Sequence, residues 1–398
     1  MGTALSFPTT ARYKMRLAGG VAVRTRREAL PPIDFGAPFC DALYEKRLPT
    51  QLLKEAIFEE WQIEVHTSTA EMMQRFPSAF GFDSLEPLDF SIIPADSKYA
   101  FMTPRYFKVR RGSETLLVVA SAPGGDGARS CGALISRYLY KIARDIGRVS
   151  LVRHPDLENQ LFEQIGLDAR FVMPFDHVVL GFADEICQMI RGQVDCIFLS
   201  SFENAYFTSK RYRLSSGAVI NFLEVRIDFT GSIGAKLCTK LAMLGAVNII
   251  YCSRVHAVEA PHAVYAQVYS PSRYIYHNEE GVVRYVVNLP NPLHSCDLRS
   301  DSGWHFTTSV LPRISTIDGI SHLSGVSSVD NETAVMAVAI EDASHEMGVH
   351  IGFCPIHFVC NSIDSVLNGT YFPLTDLKKQ RYALRQATLL VQRLLASL

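Results

Sequence analysis

The sequence predicts an α/β protein with a twisted, mixed central sheet flanked by helices. Apolar runs of strand length occur at residues 115–121 (TLLVVAS), 194–200 (VDCIFLS) and 247–252 (VNIIYC), and amphipathic helical patterns separate them. A glycine-rich turn at 122–127 (APGGDG) joins the first run to a helical pattern, which predicts half of a βαβ unit. Strands that alternate with helices along the chain are typical of the α/β class.

Hydrophobic periodicity predicts the remaining elements. An apolar face predicts a helix at 49–65, and alternation predicts a half-exposed strand at 225–229. A helix follows the turn at 230–234 and ends at Gly245, where a left-handed cap is expected. The later predicted elements are strands at 263–269 and 282–287, a helix at 334–347, a strand-like run at 349–360 and a helix at 376–396.

Composition excludes several classes of protein. The 398 residues are 48% hydrophobic and 20% charged, as in ordinary globular proteins. The formal net charge of -1 provides no overall positive field, so non-specific nucleic-acid binding is not expected. No apolar stretch is long enough to span a bilayer, so no membrane span is expected. The nine cysteines are scattered and mostly lie in apolar runs, which predicts reduced core residues of an intracellular protein.

The N-terminus differs in character from the rest of the chain. Residues 1–27 contain six Lys or Arg residues, several hydroxyl residues and no acidic residue. This composition is typical of a mitochondrial import sequence, although a basic tail or an N-myristoylation motif at Gly2 is an alternative reading. The sequence therefore predicts a basic leader at 1–30, an α/β extension at 31–170 and a main domain at 171–398. Localisation is predicted to be mitochondrial, or otherwise cytoplasmic.

Three blocks in the second half of the chain resemble the nucleoside phosphorylase and nucleosidase superfamily. Residues 244–258 (LGAVNIIYCSRVHAV) are similar to its helix–Gly–strand–turn segment. Residues 324–335 (SGVSSVDNETAV) are similar to its V-E-M-E-T/A-A turn from strand to helix. Residues 347–362 are similar to the strand that ends in SD or TN. The order and spacing of the blocks agree with the superfamily over roughly residues 173–398, which implies a nucleoside-phosphorylase-like fold.

The resemblance implies cleavage of the N-ribosyl bond of a nucleoside or nucleotide. Glu332 matches the carboxylate that holds the ribose hydroxyls and stabilises positive charge on the sugar. Asn361, or Asp364 as an alternative, matches the residue that assists departure of the base. The matching turn at Ser253 and Arg254, together with Ser328, is implied to bind substrate. Simpler roles are a helix first-turn acid for Glu332, a turn cap for Asn361 and a surface ion pair for Arg254.

The blocks also depart from the superfamily pattern. Ser253 and His256 replace two turn glycines, Tyr251 replaces an arginine, and no Gly-Asp-Pro-x-Arg phosphate loop is present. The nearest candidate for that loop is 180–184 (LGFAD). This pattern suits hydrolysis by water as well as phosphorolysis, with phosphate as a co-substrate and no other cofactor. It also suits a catalytically inactive structural subunit of a mitochondrial assembly, or a nucleotide-binding module.

The resemblance also implies protein partners, and the strand pattern bears on metal binding. An active member of this superfamily is expected to be a homo-oligomer, whereas an inactive one is expected to join a large mitochondrial complex. Cys354, His357 and Cys360 are spaced three apart on a predicted strand, so alternate members point to opposite faces. The sequence therefore predicts core residues at these positions and no metal site.

Overall fold

The computed structural model contains two sheets, each flanked by helices, which confirms the α/β class. It describes residues 26–29, 48–68, 70–88, 104–121, 125–143, 147–154, 161–227, 231–258, 265, 268–277, 282–287, 289–293, 303–308, 325–362 and 377–398. Among these residues, no helix combines the length and the apolar character needed to cross a membrane.

The first sheet has six strands. The elements of this part are β1 (Arg26–Ala29), α1 (Thr50–Phe58), β2 (Gln62–His66), α2 (Ala70–Arg75), a 3-10 turn (Pro77–Phe80), β3 (Ser84–Leu88), β4 (Arg105–Arg111), β5 (Glu114–Ala120), α3 (Gly125–Ala143) and β6 (Val149–Arg153). The strand order in the sheet is β1-β6-β2-β5-β4-β3. Strands β6, β2 and β5 are parallel, and β1, β3 and β4 run antiparallel to their neighbours. Helices α1 and α3 pack on one face, and α2 with the 3-10 turn packs on the other.

The second sheet has eleven strands and is mixed. Its elements are α4 (Leu161–Gln164), β7 (Asp176–Leu180), α5 (Ala183–Ile190), β8 (Cys196–Glu203), β9 (Phe207–Leu214), β10 (Val219–Val225), α6 (Ser232–Met243), β11 (Asn248–Ala257), β12 (Val268–Tyr269), β13 (Arg273–His277), β14 (Val283–Val286), β15 (Trp304–Thr308), β16 (Val326–Asp330), α7 (Thr333–Met347), β17 (Gly352–Ser362) and α8 (Leu377–Ser397). Helices α6 and α7 cover one face, and α5 and α8 cover the other.

Strand β11 is the branching point of this sheet. It is parallel to β7 on one side and to β17 on the other, and its last two residues pair with β16. A bulge interrupts the β11–β17 register between Val255 and His256. Bulges bend a strand and re-aim the side chains that follow. The fork therefore brings β16 and the start of α7 to the carboxyl end of β11.

Several sequence predictions need correction. The helix predicted at 49–65 ends at Phe58, and Gln62–His66 forms strand β2, because Ile63 and Val65 alternate into a core between two parallel neighbours. The strand predicted at 225–229 lies instead at Val219–Val225. Of the strand predicted at 263–269, only Val268–Tyr269 is described as a strand. The other predicted elements agree with the structure to within a few residues at each end.

The domain boundaries stay predictions. Arg26–Ala29, at the end of the predicted leader, forms strand β1 and pairs with β6, while residues 1–25 lie outside the described ranges. Phe162, Ile165 and Leu167, on the N-terminal side of the predicted boundary at 170, pack into the core of the second sheet. The seven described cysteines are free thiols.

Candidate functional site

The candidate site lies at the carboxyl edge of the second sheet. Strands β7, β10, β11 and β17 are parallel and end at this edge, and α7 begins beside them. Tyr251 packs with the core under α6 and α7, whereas its neighbour Cys252 packs with the opposite core. Crevices at the carboxyl ends of parallel strands are the usual place for ligands in α/β proteins. The side chains gathered here are therefore the first candidates for chemistry.

The centre of the site is a hydrogen bond between two nearly buried side chains. The hydroxyl of Tyr251 donates to Oε1 of Glu332 over 2.7 Å, and the two residues are 3% and 8% exposed. Burial raises the pKa of Tyr251 well above its usual range, and the nearby Glu332 and Asp330 raise it further. Tyr251 therefore stays protonated and acts as a donor to the carboxylate.

Asp330 fixes the position of Glu332. Its Oδ1 accepts hydrogen bonds from the backbone N–H groups of Glu332 (3.2 Å) and Thr333 (3.0 Å). Its carboxylate also accepts from the hydroxyls of Thr307 and Thr333, and it lies 2.9 Å from Nε2 of His305. Although burial alone would raise the pKa of Asp330, the adjacent His305 and the other hydrogen-bond donors hold it well below its usual range. An ionised Asp330 thus caps α7 and holds the backbone from which Glu332 projects.

Histidines line the same network. Nδ1 of His305 lies 2.9 Å from Oγ of Ser328, and Nε2 of His357 lies 3.1 Å from Oγ1 of Thr333. The ring centroids of His305 and His357 are 4.9 Å apart. Burial lowers the pKa of His357 to about 3 and that of His256 to about 4. Both of these imidazoles are therefore neutral near pH 7.

The turn after β7 carries acidic groups. Gly181 has φ +65, and a Cβ there would lie 2.1 Å from the carbonyl oxygen of Cys252, so this position has to be glycine. The next residues begin α5, and the backbone N–H of Asp184 donates to the carboxylate of Glu224 over 3.3 Å. Lys210 forms an ion pair with Asp184 at 2.8 Å. A carboxylate thus occupies the helix start, where a bound anion would lie.

The structure brings some of the predicted site residues together. Glu332 and Ser253 lie on the Tyr251 side of the sheet. Ser328 is connected to this network by its hydrogen bond to His305, which contacts Asp330. Arg254 lies on the other face, with its guanidinium 5.5 Å from the ring centroid of Phe182. Asn361 belongs to β17 and pairs with His256, and Asp364 lies outside the described residues.

Sequence reasoning missed Tyr251, Asp330, His305 and His357 as members of the site. Asp330 had a usable signal, because an aspartate just before a helical pattern is a preferred cap. The others join through strand pairing between residues far apart in sequence, for which a single sequence gives no signal. Within the described part of the chain, no group of three or more His, Cys, Asp or Glu residues could hold a metal ion.

A second buried polar cluster lies on the first sheet. Glu64 accepts two hydrogen bonds from Arg111, at 2.8 and 2.7 Å, and a further one from Arg27. Nε2 of His66 lies 3.0 Å from Glu64, and its Nδ1 lies 3.0 Å from Nε2 of His154. Burial would raise the pKa of Glu64, but the hydrogen bonds from His66 and Arg111 outweigh it and lower the pKa to about 2.

Comparisons with known proteins give one curated relative and a group of solved structures. No family model matches the chain. The chain is 25% identical over 364 residues to "Oxidoreductase cns1" of Cordyceps militaris, and the match covers 86% of this chain and 45% of the relative. The chain thus spans less than half the length of this relative.

The solved structures to which the chain is similar include nucleoside phosphorylases and nucleosidases. A 5'-methylthioadenosine/S-adenosylhomocysteine nucleosidase from Colwellia psychrerythraea 34H, in complex with adenine, is 14% identical; it covers 57% of this chain and 96% of its own, with a TM-score of 0.39. A purine nucleoside phosphorylase from Toxoplasma gondii, in complex with immucillin-H, is 15% identical, with coverages of 58% and 94% and a TM-score of 0.44. A uridine phosphorylase from Vibrio fischeri ES114 is 14% identical, with coverages of 59% and 96% and a TM-score of 0.42.

Proposed function

We propose that the chain hydrolyses the N-ribosyl bond of a nucleoside at the Glu332 site. The observation that carries the proposal is the nearly buried Glu332 carboxylate, held at the start of α7 by Asp330 and bonded to Tyr251. In this reaction water attacks C1′ of the sugar, the bond from C1′ to the base nitrogen breaks, and the base leaves with a proton. The transition state carries positive charge on the sugar ring, which a fixed carboxylate stabilises.

The roles of the two acids differ because their surroundings differ. The carboxylate oxygens of Asp330 accept hydrogen bonds from within the protein, from two backbone N–H groups and from neighbouring hydroxyls. Glu332 receives the Tyr251 hydroxyl on Oε1 and lies nearer the surface, so it is the acid that can also accept hydrogen bonds from sugar hydroxyls. Tyr251 keeps the carboxylate in one orientation, and such preorganisation spares the enzyme from reordering the site during the reaction.

Water is favoured over phosphate as the nucleophile. The start of α5 is the place where the superfamily resemblance would put a phosphate loop, and there the carboxylate of Glu224 accepts the Asp184 N–H. Asp184 and Glu185 add negative charge in the first helical turn. Like charges repel an incoming dianion, whereas a carboxylate at this edge can accept a proton from attacking water.

Release of free base tests the proposal. Purified protein is incubated with adenosine, inosine, uridine and their 5′-monophosphates, with and without phosphate, and the free base is measured by mass spectrometry. Glu332→Gln should abolish release, because the neutral amide stabilises the cationic sugar poorly, whereas Glu346→Gln, at an exposed position on the same helix, should have no effect. Absence of release from every substrate by folded protein would refute the proposal.

A second candidate function is dinucleotide-dependent oxidoreduction. The curated relative that aligns with most of this chain is named an oxidoreductase. In the first sheet, β5 is followed along the chain by the 19-residue helix α3, which begins at Gly125, and then by β6, which is parallel to β2. Ser121 faces the first turn of that helix, since a Cβ on Gly127 would lie 3.8 Å from its Oγ. A strand followed by a helix that begins with glycines suits a pyrophosphate, and an arginine at the end of the next strand, here Arg153, suits a 2′-phosphate.

Cofactor binding separates the two candidates. If the second candidate is right, NADPH fluorescence should change on addition of protein, and NADH should bind more weakly. Arg153→Glu should reverse that preference, and Glu332→Gln should leave it unchanged. Base release without cofactor binding would support the hydrolase alone.

The predicted mitochondrial assembly subunit and the localisation stay proposals about this chain. Residues 1–30 fused to a fluorescent protein would be expected to direct it to mitochondria, while the same segment with its arginines changed to glutamine would not. Association with a large complex would be tested by size-exclusion chromatography of the native protein.

A further inference from the structure

Three bonds around Asp330 determine where the proton of His357 lies. Asp330 is ionised, so its oxygens only accept hydrogen bonds. The hydroxyl of Thr333 donates its single proton to Oδ2 of Asp330. Oγ1 of Thr333 can therefore only accept from Nε2 of His357, which lies 3.1 Å away. It follows that the proton of a neutral His357 is on Nε2.

The other ring nitrogen of His357 is left as an acceptor. His357 is completely buried, and burial lowers its pKa to about 3, so the ring carries one proton near pH 7. With that proton on Nε2, Nδ1 presents a bare lone pair. Among the residues that the structure describes, no group hydrogen-bonds to this atom. A buried acceptor without a donor is unfavourable, so a group with an N–H or O–H is expected to bind here.

The position of His357 connects this lone pair with the proposed site. His357 pairs in register with Ser253 on the adjacent parallel strand, so both side chains point to the same face. Its ring packs edge-on against Tyr251, with 6.1 Å between centroids, and Tyr251 holds Glu332. Ser253 and Glu332 retain 5% and 8% exposure, so the site approaches the surface beside His357.

We propose that Nδ1 of His357 accepts a hydrogen bond from a neutral O–H or N–H group of the ligand bound at Glu332. This inference rests on the proposed function, because it takes the ligand to be a nucleoside. The site then offers the ligand two acceptors, the imidazole nitrogen and the carboxylate. Such a site selects uncharged, donor-rich ligands such as the sugar of a nucleoside, and it disfavours a phosphorylated sugar at this point.

Two substitutions separate ligand binding from a purely structural role. His357→Gln can keep an N–H donor toward Thr333 but removes the Nδ1 acceptor. His357→Asn keeps an acceptor close to the Nδ1 position but cannot reach Thr333. The proposal predicts that His357→Gln weakens adenosine or uridine binding roughly tenfold, as expected for one hydrogen bond, while His357→Asn binds nearly normally and melts at a lower temperature. The reverse pattern would overturn the proposal.

Nitrogen NMR of the wild-type protein labelled with ¹⁵N-histidine tests the tautomer without any variant that fails to fold. The signal of His357, assigned by its absence from His357→Gln or by through-space contacts to Tyr251, should show protonated Nε2 and unprotonated Nδ1 at pH 7. Saturation with adenosine or uridine should shift the Nδ1 signal. A proton on Nδ1, or an Nδ1 signal that does not move when nucleoside is bound, would overturn the proposal.

The outcomes for the two proposals are distinguishable. Nucleoside binding that shifts Nδ1 without release of base would refute hydrolysis and support the role of His357. Base release with unchanged KM in His357→Gln would support hydrolysis and refute the role of His357.

Discussion

Glu64 offers the sharpest test of how the first sheet is stabilised. This carboxylate is 2% exposed and is bonded to Arg111, Arg27 and His66. Its pKa falls from 4.5 to about 2. Because a tenfold change in proton affinity is worth about 1.4 kcal/mol, ionised Glu64 contributes roughly 3 kcal/mol to the free energy of unfolding at pH 7.

The sign of the pH dependence follows from the lowered pKa. A carboxyl whose pKa is lower in the folded state stabilises that state above its unfolded pKa, near 4.5, and the stabilisation is lost as pH falls through about 2. The contribution should therefore decrease to roughly 1 kcal/mol at pH 3. Glu64→Gln removes the charge at every pH, so the difference between wild type and variant should decrease by the same amount.

Urea unfolding at pH 7 and pH 3, followed by fluorescence, measures this difference. Glu64→Gln should lower the free energy of unfolding by about 3 kcal/mol at pH 7 and by about 1 kcal/mol at pH 3. Glu86→Gln, at an exposed position on β3, is the control and should change stability by less than about 0.5 kcal/mol at both values. A loss for Glu64→Gln that is below about 1 kcal/mol at pH 7, or equal at the two pH values, would show that ionised Glu64 does not stabilise the fold in this way.

Three further predictions concern the second sheet. Tyr251→Phe removes the donor to Glu332 and should lower kcat/KM for base release about tenfold or more, measured by steady-state kinetics; an unchanged kcat/KM would contradict the role assigned to this bond. Gly181→Ala should lower the free energy of unfolding in urea by more than about 2 kcal/mol, because φ is +65 and the new Cβ would lie 2.1 Å from the Cys252 carbonyl oxygen. Gly192→Ala, where φ is +79 but the Cβ would point into open space, should lower it by only about 1 kcal/mol. Equal losses in the two variants would argue against the close contact at Gly181. Phosphate should not accelerate base release, and a rate that rises with phosphate in the assay would contradict the role given to Glu224.

The sequence predicted elements best where one pattern extended over many residues. The long strand β11, the helix α7 and the final helix α8 were found because burial is continuous or periodic along them. The segment 49–65 was misread because Ile57 and Trp61 are four residues apart, as on a helix. The helix in fact ends at Phe58, and Glu60, two residues later, has φ +57. A left-handed glutamate has no signature in a single sequence.

The candidate site was predictable only in its local part. Glu332 was found from a short motif, and Asp330, two residues earlier, could have been found as a helix cap. In the sequence, Tyr251 stands where the superfamily has an arginine, so no role was predicted for it. Only the structure shows that its hydroxyl donates to Glu332, which is 81 positions later in the chain. His357 looked like a core residue, which its burial supports, and its significance depends on the bonds made by Thr333 and Asp330. Arg254 lies on the opposite face of the sheet from Ser253 and Glu332, because neighbouring residues of a strand point to opposite faces.

Hydrolysis at Glu332 is tested most simply by base release from a panel of nucleosides without added phosphate, measured for wild-type protein and for Glu332→Gln. We predict release by the wild type, at a rate independent of phosphate, and loss of release in a variant that remains folded by circular dichroism. Release that persists in Glu332→Gln, or no release from any nucleoside by folded wild-type protein, would contradict hydrolysis at Glu332.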